Sequence, residues 1–124
     1  MRLPFALMST LALAACTSTG ATGPQPLPPM PVRMVVGQSL ALPDRSTLRY
    51  VGTRDDSRCP PNVTCVWAGK ATVLFDHAPA GAGATRVEVT LPETPSTTVG
   101  GWQVTVEALA HGEAPVATVR VAAL

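Results

Sequence analysis

The segment from Gly101 to Leu109 alternates between apolar and polar residues, and no other feature of the sequence constrains the fold as strongly. Successive side chains of a β-strand point to opposite faces, so a period of two predicts a strand with one buried and one solvated face. The side chains predicted to face inward are Trp102, Val104, Val106 and Ala108. This part of the chain is therefore expected to cover a core as a half-buried strand.

The same alternation occurs in Arg86 to Leu91 and again in Ala117 to Val121. Less regular extended segments are predicted at residues 32–36, 40–42, 47–53 and 70–76, and a turn is predicted at Pro79 to Gly83. The stretch from Leu91 to Gly101 is interpreted as a longer loop. The chain contains thirteen prolines and ten glycines, which favours turns between short strands, and no window after residue 15 has the 3.6-residue period of a helix. The sequence predicts an all-β domain, a small antiparallel sandwich of immunoglobulin-like type with six or seven strands.

The first residues of the chain have the three parts of a secretory signal. Arg2 supplies a positive charge, an apolar run extends from Leu3 to Leu13, and small residues precede Cys16. The run is shorter than the roughly 20 residues that a helix needs to cross a bilayer. We therefore expect residues 1–15 to be a signal peptide rather than a permanent transmembrane anchor.

The four residues Leu13-Ala14-Ala15-Cys16 resemble the lipobox of bacterial lipoproteins. The resemblance implies that Cys16 receives a diacylglyceryl thioether, becomes the new N-terminus and anchors the protein stably through several acyl chains. Thr17, rather than Asp, follows the cysteine, as in lipoproteins that are sent to the outer membrane of Gram-negative cells. The expected location is the cell envelope, at the outer membrane and facing the periplasm.

Residues 16–31 are predicted to form a flexible tether behind the lipid. They contain no charged residue and are dominated by Thr, Gly and Pro, a composition that buries too little apolar surface to fold. The domain is expected to span residues 32–124. The full chain has nine basic and eight acidic residues, and Arg2 leaves with the signal peptide, so the remainder carries no formal net charge. Without a basic excess, no nucleic-acid partner is expected.

Cys59 and Cys65 remain as a pair if Cys16 is lipidated, and exported proteins fold where disulfides persist. We predict a disulfide between them, whose small ring contributes about 2 kcal/mol. The ring presents a candidate binding loop made of Pro60, Pro61, Asn62, Val63 and Thr64. Trp67 is expected to cover the disulfide as a local core. Asp55 and Asp56 stand beside Arg54 and Arg58, a pattern that ion pairs within the segment can satisfy.

The order Asp-Ser-Arg-Cys-Pro, four further residues and Cys-Val-Trp-Ala-Gly spans Asp56 to Gly69. It resembles a motif of a family of small bacterial lipoproteins and envelope proteins that has no established activity. The match covers about a tenth of the chain and is specific in order and spacing. It implies an envelope location and a disulfide-braced β domain, and it implies no catalytic residue.

The sequence offers little support for a metal site or for hydrolytic catalysis. Cys59, Cys65, His77 and His111 include metal-ligand types, but their spacing does not match a zinc knuckle. Asp55 and Asp56 lack the acidic spacing of a calcium loop. His77 and His111 are the candidate bases for hydrolysis, yet Asp76 and His77 would point to opposite faces of a strand. No catalytic residue, metal ligand or cofactor is assigned.

The expected function is therefore that of a membrane-anchored envelope lipoprotein, a non-catalytic binding or structural module with a possible envelope protein as partner. An inhibitor of a periplasmic or extracellular hydrolase, acting through the Cys59–Cys65 loop, is the most concrete alternative, because a rigid loop loses little entropy on binding. A metal-binding envelope protein is the other alternative. The sequence names neither a reaction nor a substrate.

Overall fold

A computed structural model describes residues 26–124. These residues form eight strands: β1 Val32–Met34, β2 Ser39–Ala41, β3 Thr47–Arg54, β4 Ala71–Ala78, β5 Thr85–Leu91, β6 Ser96–Val99, β7 Trp102–Leu109 and β8 Ala117–Ala123. The predicted signal peptide, Cys16 and the tether up to residue 25 lie outside the described residues. The described part of the chain begins within the predicted tether and includes the whole predicted domain.

The strands form two antiparallel sheets, with the orders β1-β8-β7-β6 and β2-β3-β4-β5. The prediction of an all-β antiparallel sandwich is thus confirmed, with one strand more than expected. Most neighbours in each sheet are also neighbours along the chain. Strands β2 to β5 form one meander and β6 to β8 another, with β1 added beside β8, whereas an immunoglobulin domain uses Greek-key connections. The likeness to the immunoglobulin type therefore extends to the two layers and not to the strand order.

Strand β6 corrects the prediction of a loop between Leu91 and Gly101. Ser96 pairs with Thr105 and Val99 with Trp102, so β6 and β7 form a hairpin around Gly100 and Gly101. Gly100 has a positive φ of 55°, which a tight hairpin turn requires and glycine adopts without strain. The β-branched run before the two glycines is short, and its pairing with β7 makes it a strand.

The core lies between the two sheets and is built mostly from aliphatic side chains around Tyr50 and Phe75. The predicted alternation holds in β8, where Ala117, Val119 and Val121 are buried. In β7 a bulge between Val106 and Ala108 shifts the register. Ala108, predicted to face inward, is exposed and Leu109 is buried instead, because the bulge reverses the alternation.

Two side-chain hydrogen bonds join distant parts of the chain across the sandwich. The Tyr50 hydroxyl donates to the carbonyl oxygen of Pro115 at 2.6 Å, and burial raises the pKa of this phenol. The Trp102 indole N–H donates to Oδ2 of Asp44 at 2.9 Å. Tyr50 lies on β3, and Asp44 lies in the connection between β2 and β3, which belong to one sheet. Trp102 lies on β7, and Pro115 lies in the connection between β7 and β8, which belong to the other sheet. Each bond therefore fixes one sheet relative to the other.

Leu27 and Met30 pack against the core, although they belong to the predicted tether. Both are apolar residues in a run otherwise made of Pro and Gln, and burying their side chains against the sandwich stabilises an ordered path for this part of the chain. The last residues of the predicted tether are thus part of the folded domain.

Candidate functional site

The connection between β3 and β4, residues 55–70, contains most of the residues that the sequence singles out. It leaves and returns at the same end of the sheet, because Arg54 at the end of β3 pairs with Thr72 near the start of β4. We call this segment the cysteine loop. Polar contacts at its base and a cysteine pair nearer its tip determine its shape.

The base of the cysteine loop is closed by Ser57 and Lys70. The Ser57 N–H donates to the carbonyl oxygen of Lys70 at 2.7 Å, and the Lys70 N–H donates to Oγ of Ser57 at 3.0 Å. Gly69 makes this approach possible, since it has a φ of 50° and a Cβ at this position would overlap the carbonyl group of Ser57. The glycine that ends the sequence motif is therefore required by the close contact of two backbone segments.

Arg58 fastens the cysteine loop to the turn between β7 and β8. Its guanidinium donates to both carboxylate oxygens of Asp56, with Nε–Oδ1 at 2.9 Å and Nη2–Oδ2 at 2.8 Å. It also donates to the carbonyl oxygens of Leu109 at 2.6 Å and Ala110 at 2.8 Å. The hydrogen bonds from Arg58 hold the pKa of Asp56 below its usual value. The planar guanidinium of an arginine has enough donors to bind a carboxylate and two carbonyl oxygens together. A lysine ammonium cannot reproduce this set of hydrogen bonds.

The charged residues at the start of the cysteine loop are paired as the sequence predicts. Arg54 contacts Asp55 at 3.4 Å and Glu88 on β5 at 2.9 Å, while Arg58 contacts Asp56. The prediction that arginines and carboxylates in this segment satisfy each other is confirmed. Asp55 and Asp56 therefore serve the internal structure of the loop.

Cys59 and Cys65 lie at disulfide distance, with their Cα atoms 5.8 Å apart. Between them the chain turns back, and the Val63 N–H donates to the carbonyl oxygen of Pro60 at 3.2 Å. All five residues of the candidate binding loop, Pro60 to Thr64, are exposed. The cysteine pair thus constrains a short projection that is open to solvent.

Trp67 is mostly exposed and forms no buried local core, which corrects that part of the expectation from the sequence. Its exposed fraction is 63%, and that of its neighbour Val66 is 94%. The reason is that β4 begins only at Ala71, so both residues belong to the irregular loop instead of entering the sheet. The core beneath is already filled by Tyr50 and Phe75, whose ring centroids are 5.7 Å apart. The cysteine loop therefore presents three exposed large apolar side chains, Val63, Val66 and Trp67.

The two histidines lie at different places in the fold. His77 is buried on the inner face of β4, opposite Leu48 of β3, and its Nε2 has no hydrogen-bond partner among the described residues. His111 is exposed in the turn between β7 and β8. Asp76 faces away from the core and pairs with Arg86 at 2.6 Å, so it does not orient His77, as the sequence predicts. The structure does not assemble a nucleophile with a base from these residues.

Within residues 26–124 there is no group of three or more His, Cys, Asp or Glu side chains placed to hold a metal ion. The same residues enclose no ligand cavity and contain no helix that is long and apolar enough to cross a membrane. No protein-family model, curated protein sequence or solved structure matches the chain. The exposed part of the cysteine loop is the candidate site that the described residues present.

Sequence reasoning finds the cysteine pair and the exposed residues 60–64 and misses the rest of the loop surface. It expects Trp67 to form a local core over the disulfide, because large apolar side chains are usually buried. Gly69 is the available signal against that assignment, because glycine is the residue that adopts a tight turn with positive φ without strain. The contact of Arg58 with Leu109 and Ala110 joins residues far apart in sequence, and no local pattern indicates it.

Proposed function

We propose that this chain is a membrane-anchored envelope lipoprotein whose β-sandwich is a non-catalytic binding module. The observation that carries the binding proposal is the exposure of Val66 and Trp67 on a loop that is fixed at its base and near its tip. Exposed large apolar side chains on a preorganised loop are typical of surfaces that bind proteins, where aromatic residues dominate the affinity. A rigid loop also loses little conformational entropy when it binds.

The proposed partner is another protein of the cell envelope. Tryptophan supplies a large apolar area with few rotatable bonds, and its indole N–H adds a hydrogen bond in a protein interface. The charged side chains of Asp55, Asp56 and Arg58 in the loop are paired with arginine or carboxylate groups, so we assign the contact to the apolar side chains. The proposed contact is therefore the insertion of Trp67 into a pocket of the partner, with Val66 and Val63 around it.

The experiment places a photoreactive amino acid at Val66 in the full-length chain and irradiates intact cells. We expect one adduct of defined mass at this position, and we expect Trp67→Ser in the same background to abolish it. The matched control carries the photoreactive residue at Val35, which is also a largely exposed valine but lies outside the loop. Equal adducts at both positions, or an adduct that persists in Trp67→Ser, would contradict the proposal.

The anchoring part of the proposal rests on the lipobox resemblance at Cys16 and is tested separately. Mass spectrometry of the protein from intact cells should find a lipid-modified amino terminus at Cys16, and Cys16→Ser should release the protein from the membrane fraction. An unmodified amino terminus at Met1 would refute the anchoring. The same cells fractionated into inner and outer membranes test the proposed outer-membrane location.

Inhibition of a hydrolase is the second candidate function. The observation in its favour is the short, exposed turn from Pro60 to Thr64, whose shape is restricted by the cysteine pair. Inhibitors of proteases and lysozyme-like enzymes present preorganised loops that change little on binding. Titration of such enzymes with the full chain tests this, with Asn62→Ala plus Val63→Ala expected to remove inhibition while the thermal unfolding curve stays the same.

A further inference from the structure

Strand β5 is the long edge strand of its sheet, and its backbone offers free hydrogen-bonding groups on the outer side. Thr90 exchanges both backbone hydrogen bonds with Thr94, at 3.2 and 2.7 Å, so its N–H and C=O point away from β4. In a regular strand every second residue shares this direction. Arg86 and Glu88 therefore also direct their N–H and C=O groups away from the sheet.

These groups have no backbone partner among residues 26–124. Thr94 occupies the edge at Thr90, but no strand or loop in the described part of the chain bonds to the outer side of Arg86 or Glu88. Both residues are exposed. An unpaired edge of this kind is a template for a further strand unless charges or bulges block it.

The charges on this edge define which strand fits. On the outer face of the sheet, Arg49 lies opposite Asp76, and Asp76 lies opposite Arg86. The signs alternate along this row, and it ends at the edge with the positive charge of Arg86. A strand added here must place a negative charge opposite Arg86 to continue the alternation, and opposite charges on directly facing residues favour pairing.

Glu88 lies two residues further along the edge and favours a positive charge on the added strand. It already contacts Arg54 of its own chain at 2.9 Å, and a positive charge on an added strand would continue that alternation as well. An antiparallel strand meets Glu88 before it meets Arg86. Read from its N-terminus, it must therefore carry a positive residue, one further residue and a negative residue. The Arg86-Val87-Glu88 sequence of β5 itself meets this requirement.

We propose that β5 pairs with β5 of a second copy of this chain, antiparallel and about a two-fold axis through Val87. In this register Arg86 lies opposite Glu88 of the second copy, and the two residues exchange the free backbone hydrogen bonds. Val87 lies opposite Val87, in the closer, non-hydrogen-bonded type of antiparallel pair. The two four-stranded sheets become one continuous sheet of a symmetric dimer, with the same patch used on both copies.

The alternative registers are excluded by charge. The backbone hydrogen bonds are kept only if the second strand shifts by two residues. A shift in one direction places Arg86 opposite Arg86, and a shift in the other places Glu88 opposite Glu88. Like charges on directly facing residues are unfavourable, and the second of these registers would also require the groups of Thr90 that Thr94 already occupies. Arg86 and Glu88 already pair with Asp76 and Arg54 of their own chain, and an uncharged peptide would not extend this alternation of charges, whereas a second copy extends it at both positions. A second copy is the occupant that the edge selects.

The test is sedimentation equilibrium of the full-length chain in density-matched detergent. The wild-type chain should show a reversible monomer–dimer equilibrium. Arg86→Glu and Glu88→Arg should each raise the dimer dissociation constant by about tenfold or more, since symmetry places each like-charge contact in the dimer twice. The double variant, Arg86→Glu with Glu88→Arg, should return it to within about threefold of the wild-type value, because opposite charges face each other again.

Arg120→Glu is the matched control, because Arg120 also pairs with a carboxylate, Glu107, but lies on a central strand of the other sheet. It should leave the dissociation constant unchanged. If a charge reversal prevents folding, judged by circular dichroism, Arg86→Gln and Glu88→Gln replace it and should weaken the dimer by about threefold. Amide hydrogen exchange over residues 85–91 should slow as the dimer forms.

A chain that stays monomeric up to about 1 mM overturns the proposal. Its dimer dissociation constant would then be higher than a specific contact gives. A dimer that Arg86→Glu leaves intact, or that the double variant does not restore, overturns it too. Binding of this edge to a different protein while the chain itself stays monomeric would assign the edge to that partner and also refute self-pairing.

Discussion

The sandwich core and the cysteine loop are stabilised by different kinds of interaction. In the core, Phe75 and Tyr50 are fully buried among aliphatic side chains, so removal of apolar surface from water supplies the stabilisation. In the loop the largest apolar side chains point into solvent, and hydrogen bonds from Arg58 and Ser57 together with the cysteine pair hold the backbone. A region built in the second way can expose an apolar surface without losing its shape.

Burial of apolar side chains and fixation of the backbone are therefore separate properties in this molecule. Trp67 lies on a loop that hydrogen bonds and the cysteine pair hold, and it contributes little buried area, whereas Trp102 is partly buried against the core and donates a hydrogen bond to Asp44. Substitutions should therefore affect stability according to which kind of interaction they remove.

Phe75→Ala should have the largest effect. The side chain is fully buried next to Tyr50, so truncation removes apolar burial and leaves a cavity, and the free energy of unfolding should fall by about 3–5 kcal/mol. Urea denaturation followed by circular dichroism measures this. Phe75→Leu fills most of the space and should cost clearly less, and equal losses for the two variants would show that cavity formation is not the cause.

Arg58→Met should reduce the free energy of unfolding by about 2 kcal/mol, since a partly buried fork of charged hydrogen bonds is lost. Amide exchange in residues 55–70 should accelerate more than exchange in the core strands, because Arg58 fastens this loop to Leu109 and Ala110. Arg58→Lys keeps the charge and should still lose most of the effect. Unchanged exchange in the loop would show that the arginine does not hold it.

Tyr50→Phe should reduce the free energy of unfolding by about 1–2 kcal/mol, because the buried carbonyl oxygen of Pro115 loses its donor while the ring still packs. The loss should appear in equilibrium denaturation without a change in the denaturant dependence. A neutral substitution would mean that water replaces the phenol at Pro115.

Asp44→Asn should reduce stability by about 1 kcal/mol near neutral pH, with the loss shrinking in acid. Hydrogen bonds from the Ser46 hydroxyl and the Trp102 indole lower the pKa of Asp44 from 3.8 to about 2. Because the folded pKa lies below the unfolded one, the carboxylate contributes fully above the unfolded value and loses its contribution as pH falls through the folded value.

Urea denaturation of wild type and Asp44→Asn across this acidic range measures the effect. The two curves of stability against pH should converge as the pH falls toward the folded pKa of about 2. Asp55→Asn is the control, because Asp55 is exposed and its pairing with Arg54 is at the surface. A constant gap between wild type and Asp44→Asn at every pH would refute the assignment.

Trp67→Ala should change the free energy of unfolding by less than about 0.5 kcal/mol, since the indole is mostly exposed. Trp102→Ala is the matched comparison and should cost several times more, because that indole packs on the core and bonds to Asp44. Thermal unfolding of both variants is sufficient. Similar losses for the two tryptophans would remove the distinction between the loop surface and the core.

The strands with the clearest alternation were predictable because period and burial are local properties. β5 and β8 lie where the pattern places them, and β7 does so until its bulge exchanges Ala108 for Leu109 at the core. Strand β6 was missed because four residues carry too little pattern, and its existence depends on pairing with β7. For the candidate site, the cysteine pair was predictable from the count and spacing of cysteines.

The sequence pattern alone predicted an all-β domain, the positions of most strands and many of the side chains that fill the core. It did so because a two-residue period of apolar side chains leaves a strand only one face to bury. Only the tertiary structure decided that Trp67 is exposed, that Arg58 holds the turn after β7 and that β5 is left at an edge. These features depend on which distant segments come into contact, and no local pattern of residues encodes that.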